Sequence, residues 1–297
     1  MNHPIAEHRN LDLSLGVNQR LHGRLLSDQE ATQLLNVDIS VPGYRRKRNS
    51  PTTSVVLDDT ATTPVNGMCP YILSGTPYVV ATCKGKLYQW DGTATPPTGK
   101  TGATISNTER VYMAQCRNGS NDVIYGTDGT NHPFKWDGTT WSQPTINDAS
   151  GSRLTALNDV IWFKSRLWVA VNDTIHWSEV VAPESFLVPS IRVRSGAGDK
   201  ILKMMPYRDD YIIVFKGGSD GIGSVHLINT VAYEITPLFH DIPIVAGGAI
   251  VRAGLNDQSD VFYFTREGLR SLKMTDDGTI TGPTLPISYH IKDETDN

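Results

Sequence analysis

The stretch Lys84-Gly85-Lys86-Leu87-Tyr88-Gln89-Trp90-Asp91-Gly92-Thr93 returns in altered form as Asn131-His132-Pro133-Phe134-Lys135-Trp136-Asp137-Gly138-Thr139. In both, an aromatic residue stands two places before a tryptophan and Asp-Gly follows, so an alternating strand runs into a dipeptide suited to a tight turn. Looser copies occur at Thr174-Ile175-His176-Trp177-Ser178, Ser224-Val225-His226-Leu227-Ile228-Asn229 and Gly268-Leu269-Arg270-Ser271-Leu272-Lys273. The equivalent positions, Trp90, Trp136, Trp177, Leu227 and Leu272, are spaced by 46, 41, 50 and 45 residues. Short strands repeating every 40 to 50 residues or so predict an all-β fold, a β-propeller with one four-stranded blade per repeat. A lone hairpin is marginal in water, so each unit must hide its apolar faces against the next.

From about residue 50 the chain is a series of short apolar runs separated by Gly, Asp, Asn and Pro. The first set of strands is expected at 55–57, 71–73, 78–82 and 86–90, and the second at 111–115, 123–125 and 134–136. The third is expected at 160–163, 167–171 and 174–177, the fourth at 211–215 and 224–228, and the fifth at 261–264 and 269–273. Five units are recognisable, which predicts about five to six blades over residues 51–297. Trp90, Trp136 and Trp177 are expected in the core, since burying one tryptophan removes about 150 to 250 Å² of surface.

Residues 1–50 lack the repeat and have the character of an extended arm. Leu11, Leu13 and Leu15 alternate with polar residues, the pattern of a strand with one buried face. Ser27-Asp28-Gln29-Glu30 is a capping-box start and predicts one short helix over 28–35. Two turns of helix cannot hold themselves in water, so the arm should dock on the propeller or on a neighbouring subunit. Arg45, Arg46, Lys47 and Arg48 form the only dense basic run. With no interleaved aromatics beyond Tyr44, they read as solvated or partner-paired charges beside a turn rather than a nucleic-acid contact, and they join Leu11, Leu13 and Leu15 as the candidate partner-contact residues.

The charge balance, 27 basic against 31 acidic side chains for a net −4, offers no global attraction to nucleic acid or anionic membrane. Three cysteines without CxxC spacing indicate neither a disulfide framework nor a zinc site, and read as thiols of a reducing compartment. No apolar run approaches the ~20 residues of a membrane helix, so a soluble protein assembled in the cytoplasm is expected.

Candidate chemistry is sparse. Pro97-Thr98-Gly99-Lys100-Thr101-Gly102 ends like a phosphate loop, but the first glycine of that motif falls at Ala94 and no helix pattern follows. The eight histidines lack HExxH or HxH spacing, and GxSxG is absent, so neither a metal centre nor a serine nucleophile is expected, and no cofactor. The pairs Asp58-Asp59, Asp209-Asp210 and Asp276-Asp277 could serve a propeller glycosidase that draws its acids from different blades. In turns, such residues more often cap backbone N–H groups, and an enzyme is not expected.

Several segments carry a resemblance. Leu15-Gly16-Val17-Asn18, Leu26-Ser27-Asp28-Gln29-Glu30-Ala31, Leu35-Asn36-Val37-Asp38 and Pro42-Gly43-Tyr44 with Arg48 are similar to the opening of β-propeller tail nozzle, or tail hub, proteins of short-tailed bacteriophages. Ile175-His176-Trp177-Ser178-Glu179 with Ala182-Pro183-Glu184-Ser185-Phe186 resembles that family's strand followed by a "dPxxF" segment. Asp209-Asp210-Tyr211-Ile212-Ile213-Val214-Phe215-Lys216-Gly217 and Val261-Phe262-Tyr263-Phe264-Thr265-Arg266-Glu267-Gly268-Leu269 resemble later strands of the family. The resemblance implies a virion structural protein in a homo-oligomeric, hexameric ring. That ring would contact portal and adaptor proteins and tail fibre or tip proteins, and let DNA pass without binding it tightly. A phage-borne glycan-binding or glycan-degrading propeller is the alternative, and a receptor-binding module a third reading.

Overall fold

The computed structural model describes residues 57, 64–93, 97–188, 190–193, 200–217, 223–242, 244, 247–253, 260–265, 268–274 and 280–281, with strand residues 16–17, 30–31, 37–38 and 46–47. The chain divides into two units, Thr53–Tyr263 and Met1–Thr52 with Phe264–Asn297.

In the N-terminal segment, Gly16–Val17 (β1) pairs in parallel with Glu30–Ala31 (β2), and Val37–Asp38 (β3) pairs antiparallel with Arg46–Lys47 (β4). The capping-box helix expected over 28–35 is not what its two described positions adopt, because Glu30 and Ala31 lie in β2. The other residues of that segment lie outside the described residues.

From Val65 onward the chain runs as a succession of antiparallel meanders. Val65–Leu73 (β5), Thr76–Cys83 (β6) and Lys86–Trp90 (β7) form the first sheet, extended by a bridge between Leu87 and Lys100. Tyr112–Asn118 (β8), Asn121–Thr127 (β9), Phe134–Trp136 (β10) and Trp141–Ser142 (β11) form the second. Asp159–Phe163 (β12), Arg166–Val171 (β13), Thr174–Trp177 (β14) and Ile191–Arg192 (β15) form the third. Lys200–Tyr207 (β16), Tyr211–Gly217 (β17), Gly223–Asn229 (β18) and Glu234–Ile242 (β19) form the fourth. The fifth has the strand order Ile250–Ala253 (β20), Asp260–Thr265 (β21), Gly268–Met274 (β22) and Ile280–Thr281 (β23). One 3-10 turn, Gly247–Ala249, is the only helical element among the described residues.

First strand lies against first strand through the series β5, β8, β12 and β16. Meanders succeeding one another with their first strands in a row are the blades of a β-propeller, and the described residues form five. All five repeated positions fall in the third strand of their blade: Trp90 in β7, Trp136 in β10, Trp177 in β14, Leu227 in β18 and Leu272 in β22.

Between successive blades lie separate apolar layers. Tyr71, Val80 and Leu87 of the first blade meet Ile124, Phe134 and Trp136 of the second. Val123 and Tyr125 meet Val160, Leu167 and Val169 of the third. Trp168, Ile175 and Trp177 meet Met204, Ile212 and Val214 of the fourth. Trp136 and Trp177 are core residues as expected. Trp90 is not, being half-buried, with its Nε1 donating to the Thr93 carbonyl at 2.6 Å.

Among the strands that escape the sequence reading or are misplaced by it, β5, β16 and β19 each contain a proline: Pro70, Pro206 and Pro237. All three are edge strands, where a missing N–H breaks no ladder bond. Residues 71–73 therefore close the first strand of their blade rather than forming a second, and 55–56 lie outside the described residues.

Strand β5 shows its two faces plainly. Cys69 and Tyr71 point into the core while Met68, Pro70 and Ile72 face out, Met68 at 68% and Ile72 at 51% exposure. Its free edge is occupied, since the Ile72 N–H donates to Gln115 Oε1 at 3.0 Å and Gln115 Nε2 donates to the Ile72 carbonyl at 2.9 Å. Cys69, Cys83 and Cys116 are buried.

Candidate functional site

Turns joining first to second strands, and third to fourth, emerge on the same side of a meander, so the polar tips of adjacent blades meet there. Between the first two blades they enclose a pocket of about 320 Å³. Its floor is Leu73 and Val123; its walls are Ser74, Asn118, Ser120, Asn121, Asp122, Lys135, Asp137 and Thr139. The turn after β5 has Ser74 at φ 50 and Gly75 at φ 84, the two left-handed positions of a type I′ hairpin. At the next tip, the N–H of Gly119 donates to the Val181 carbonyl at 3.0 Å, fixing Asn118 and Ser120 in place. Gly138, at φ 91, lies so close to Leu73 that a Cβ there would come within 2.5 Å of Leu73 Cδ2. That approach holds the floor of the pocket against its wall.

The charges around the pocket are already paired. Lys135 Nζ and the Tyr125 hydroxyl both donate to Glu184 Oε1, at 2.8 and 2.6 Å. Although burial pushes the Glu184 carboxyl upward, these two donors outweigh it and hold the pKa below the usual range. Burial first, then Glu184, pushes the Tyr125 phenol up. Arg117 Nε lies 3.3 Å from Asp122 Oδ1, and Asp137 Oδ1 accepts the N–H groups of Thr139 and Thr140 at 2.9 and 2.7 Å. Ser120, Asn121 and Thr139 keep exposed side chains at the rim. What remains available is a set of hydroxyls and an amide, which bind polar groups but move no protons.

A second polar cluster follows the row of first strands. Asp159 of β12 is fully buried, its Oδ1 accepting from Lys203 Nζ of β16 and its Oδ2 from the Met204 N–H, both at 2.7 Å. Burial pushes its carboxyl up, against the pull of Lys203. Lys203 Nζ also lies 4.5 Å from the centre of the Tyr112 ring of β8, so three blades share one ion pair and one cation–π contact. This is a joint: the lysine's charge is held by the acid and the Tyr112 ring, and the acid's two oxygens by the lysine and the backbone.

Other carboxylates are similarly committed. Asp91 and Asp148 accept backbone N–H groups of their own turns. Asp128 takes N–H donors from Thr130, Asn131 and, across the linker, Ser106. Asp210 is paired with Lys164, and Asp173 with Arg192 at 2.6 Å. Asp58, Asp59, Asp276 and Asp277 lie outside the described residues. Lys100, of the phosphate-loop-like stretch, exchanges backbone bonds with Leu87, and residues 101–111 after it contain no helix. Among the described residues, no group of three His, Cys, Asp or Glu side chains could hold a metal ion, and no helix is long and apolar enough to cross a membrane.

Of the candidate partner-contact residues, Arg46 and Lys47 form β4, paired with β3. Leu11, Leu13, Leu15, Arg45 and Arg48 lie outside the described residues. The Ala182 to Phe186 segment is built into a blade joint, with Phe186 buried beside Leu154 and Tyr125 and Glu184 reaching Tyr125 and Lys135 of the second blade. Sequence reasoning missed the pocket, because its walls come from three turns whose meeting depends on how blades pack.

No family model matches the sequence, and no curated protein matches it. Solved structures do match. The extracellular domain of a putative one-component system from B. thetaiotaomicron aligns over 77% of this chain with a TM-score of 0.52 and 12% identity. A second structure of that domain, described as belonging to a hybrid two-component system, gives a TM-score of 0.51 at 11% identity. This chain spans only 29% of the length of each. The WD40 domain of Neurospora crassa Pan2 aligns over 75% of the chain at a TM-score of 0.47 and 10% identity. At such identities the likeness is one of fold.

Proposed function

We propose that this chain is a structural protein of a bacteriophage tail, a nozzle or hub propeller. Copies of it associate into a ring that continues the portal and adaptor channel and lets DNA pass. The motif resemblance supplies the setting, and one observation carries the reading: the outer face of the first blade is apolar and open, with Met68, Pro70 and Ile72 side by side along β5. A patch of that kind marks a surface used for joining. The carboxylates named above, spent on turns and ion pairs, favour assembly over catalysis. A net charge of −4 suits a wall past which phosphates slide.

Electron microscopy and sedimentation of the purified full chain test this. Rings are expected, lost in the double variant Met68→Glu/Ile72→Glu and on removal of residues 1–45. A chain that stays monomeric at tens of micromolar, or rings indifferent to both changes, would overturn the reading.

A further inference from the structure

The pocket between the first two blades has a chemistry of its own. Its cation, Lys135, is held by Glu184, and Arg117 beside it by Asp122, so no unspent positive charge awaits an anion. Asp122 Oδ1 is engaged with Arg117 and Asp137 Oδ1 with two backbone N–H groups, and among the described residues no third acidic, histidine or cysteine side chain joins these two to hold a divalent cation. The side chains left at the rim, Ser120, Asn121 and Thr139, each both donate and accept, while Leu73 and Val123 supply an apolar floor. A neutral polyhydroxyl ring matches that combination: hydroxyls that donate and accept around the edge, and a face of C–H groups for the floor. The volume, about 320 Å³, lies at the small end of ligand sites, which run roughly from 300 to 1,000 Å³.

We propose that this pocket binds a neutral sugar, free or at the end of a glycan. Recognition comes from Asn121, Thr139 and Ser120 at the rim, with the ring lying on Leu73 and Val123. The fixed tips make the site pre-formed: Gly119 is tied to Val181, and Gly138 is packed on Leu73. No aromatic residue lines the pocket, so the affinity is modest, with a Kd on the order of 1 mM. The proposal is independent of ring formation.

Saturation-transfer NMR on the full chain tests it, with methyl α-D-glucoside, methyl β-D-galactoside, N-acetylglucosamine and maltotriose as probes, and phosphate and calcium chloride as comparisons. At least one sugar should bind saturably, and Asn121→Ala and Thr139→Val should each weaken it by about tenfold, the usual loss when one hydrogen-bonding partner is removed. Both positions are exposed, so the melting temperature should not move and a loss of binding cannot be a loss of fold. Tighter binding of maltotriose than of the glucoside would identify a glycan chain as the source, and equal binding a single sugar. No saturable sugar binding at tens of millimolar, binding unchanged in both variants, or binding of phosphate or calcium with the sugars inert would each overturn the proposal.

Discussion

Strands β17 and β5 belong to blades of the same construction, yet β17 buries Ile212, Ile213, Val214, Phe215, Lys216 and Gly217 in succession while β5 buries only Cys69 and Tyr71, with exposed residues on either side of each. Ile212 and Val214 face the third blade, and Phe215 meets Tyr263 of β21 on the opposite side, with ring centres 5.4 Å apart. Strand β5 has a covered face and an open one. The difference is one of neighbours: a run of apolar residues means two covering layers, and strict alternation means one. The same lesson separates Trp136, 1% exposed, from Trp90, half-buried at the matching place in the preceding blade.

Substitutions can break or sharpen this contrast. The largest effect is expected for Trp136→Ala, about 3 to 5 kcal/mol, which also strips Gln89 of the indole donor it accepts from at 2.7 Å. Trp90→Ala should cost clearly less in the same thermal melt, and equal losses would erase the distinction between the two blades. Ile213→Ala, in the doubly covered strand, should cost about 2 to 5 kcal/mol by denaturant titration.

Acid probes the fourth blade through His226, which is buried with Nε2 2.8 Å from Ser224 Oγ. Burial, with Lys216 and His240 adding, pushes its pKa down from 6.5 to about 4. The unfolded chain therefore takes up this proton first as pH falls. Stability is lost between about pH 6.5 and 4, by no more than ~3 kcal/mol, and His226→Gln should flatten that part of the curve. The lowered carboxyls of Asp128, Asp148 and Asp173 contribute their own loss at lower pH still. Smaller again, Gln115→Ala should cost about 1 to 2 kcal/mol by uncovering the peptide of Ile72. Ile72→Ser, on the open face, should leave monomer stability within about 0.5 kcal/mol, whatever it does to association. A large loss there would mean that the face is covered after all.

The sequence repeat was legible because third strands keep an aromatic or leucine at a fixed place before a turn, and a turn needs particular residues. Thr174–Trp177 and Phe134–Trp136 were readable to the residue for that reason. The proline-bearing strands were not, since local rules read Pro70, Pro206 and Pro237 as breaks, and only their place at a sheet edge makes them tolerable. The expected arm helix rested on Ser27 and Glu30 alone, and most of its span lies outside the described residues. Its two described positions, Glu30 and Ala31, pair with Gly16 and Val17. The site was least legible of all: Lys135, Glu184 and Tyr125 are up to 59 residues apart, and nothing in their spacing announces that they meet.

The amide of Gln115 imitates a peptide group, offering Ile72 both an acceptor and a donor where another strand would otherwise add. Pro70, two places back, has no hydrogen to give. Strand-on-strand addition, the route to fibrils, is thereby blocked along this stretch of the β5 edge.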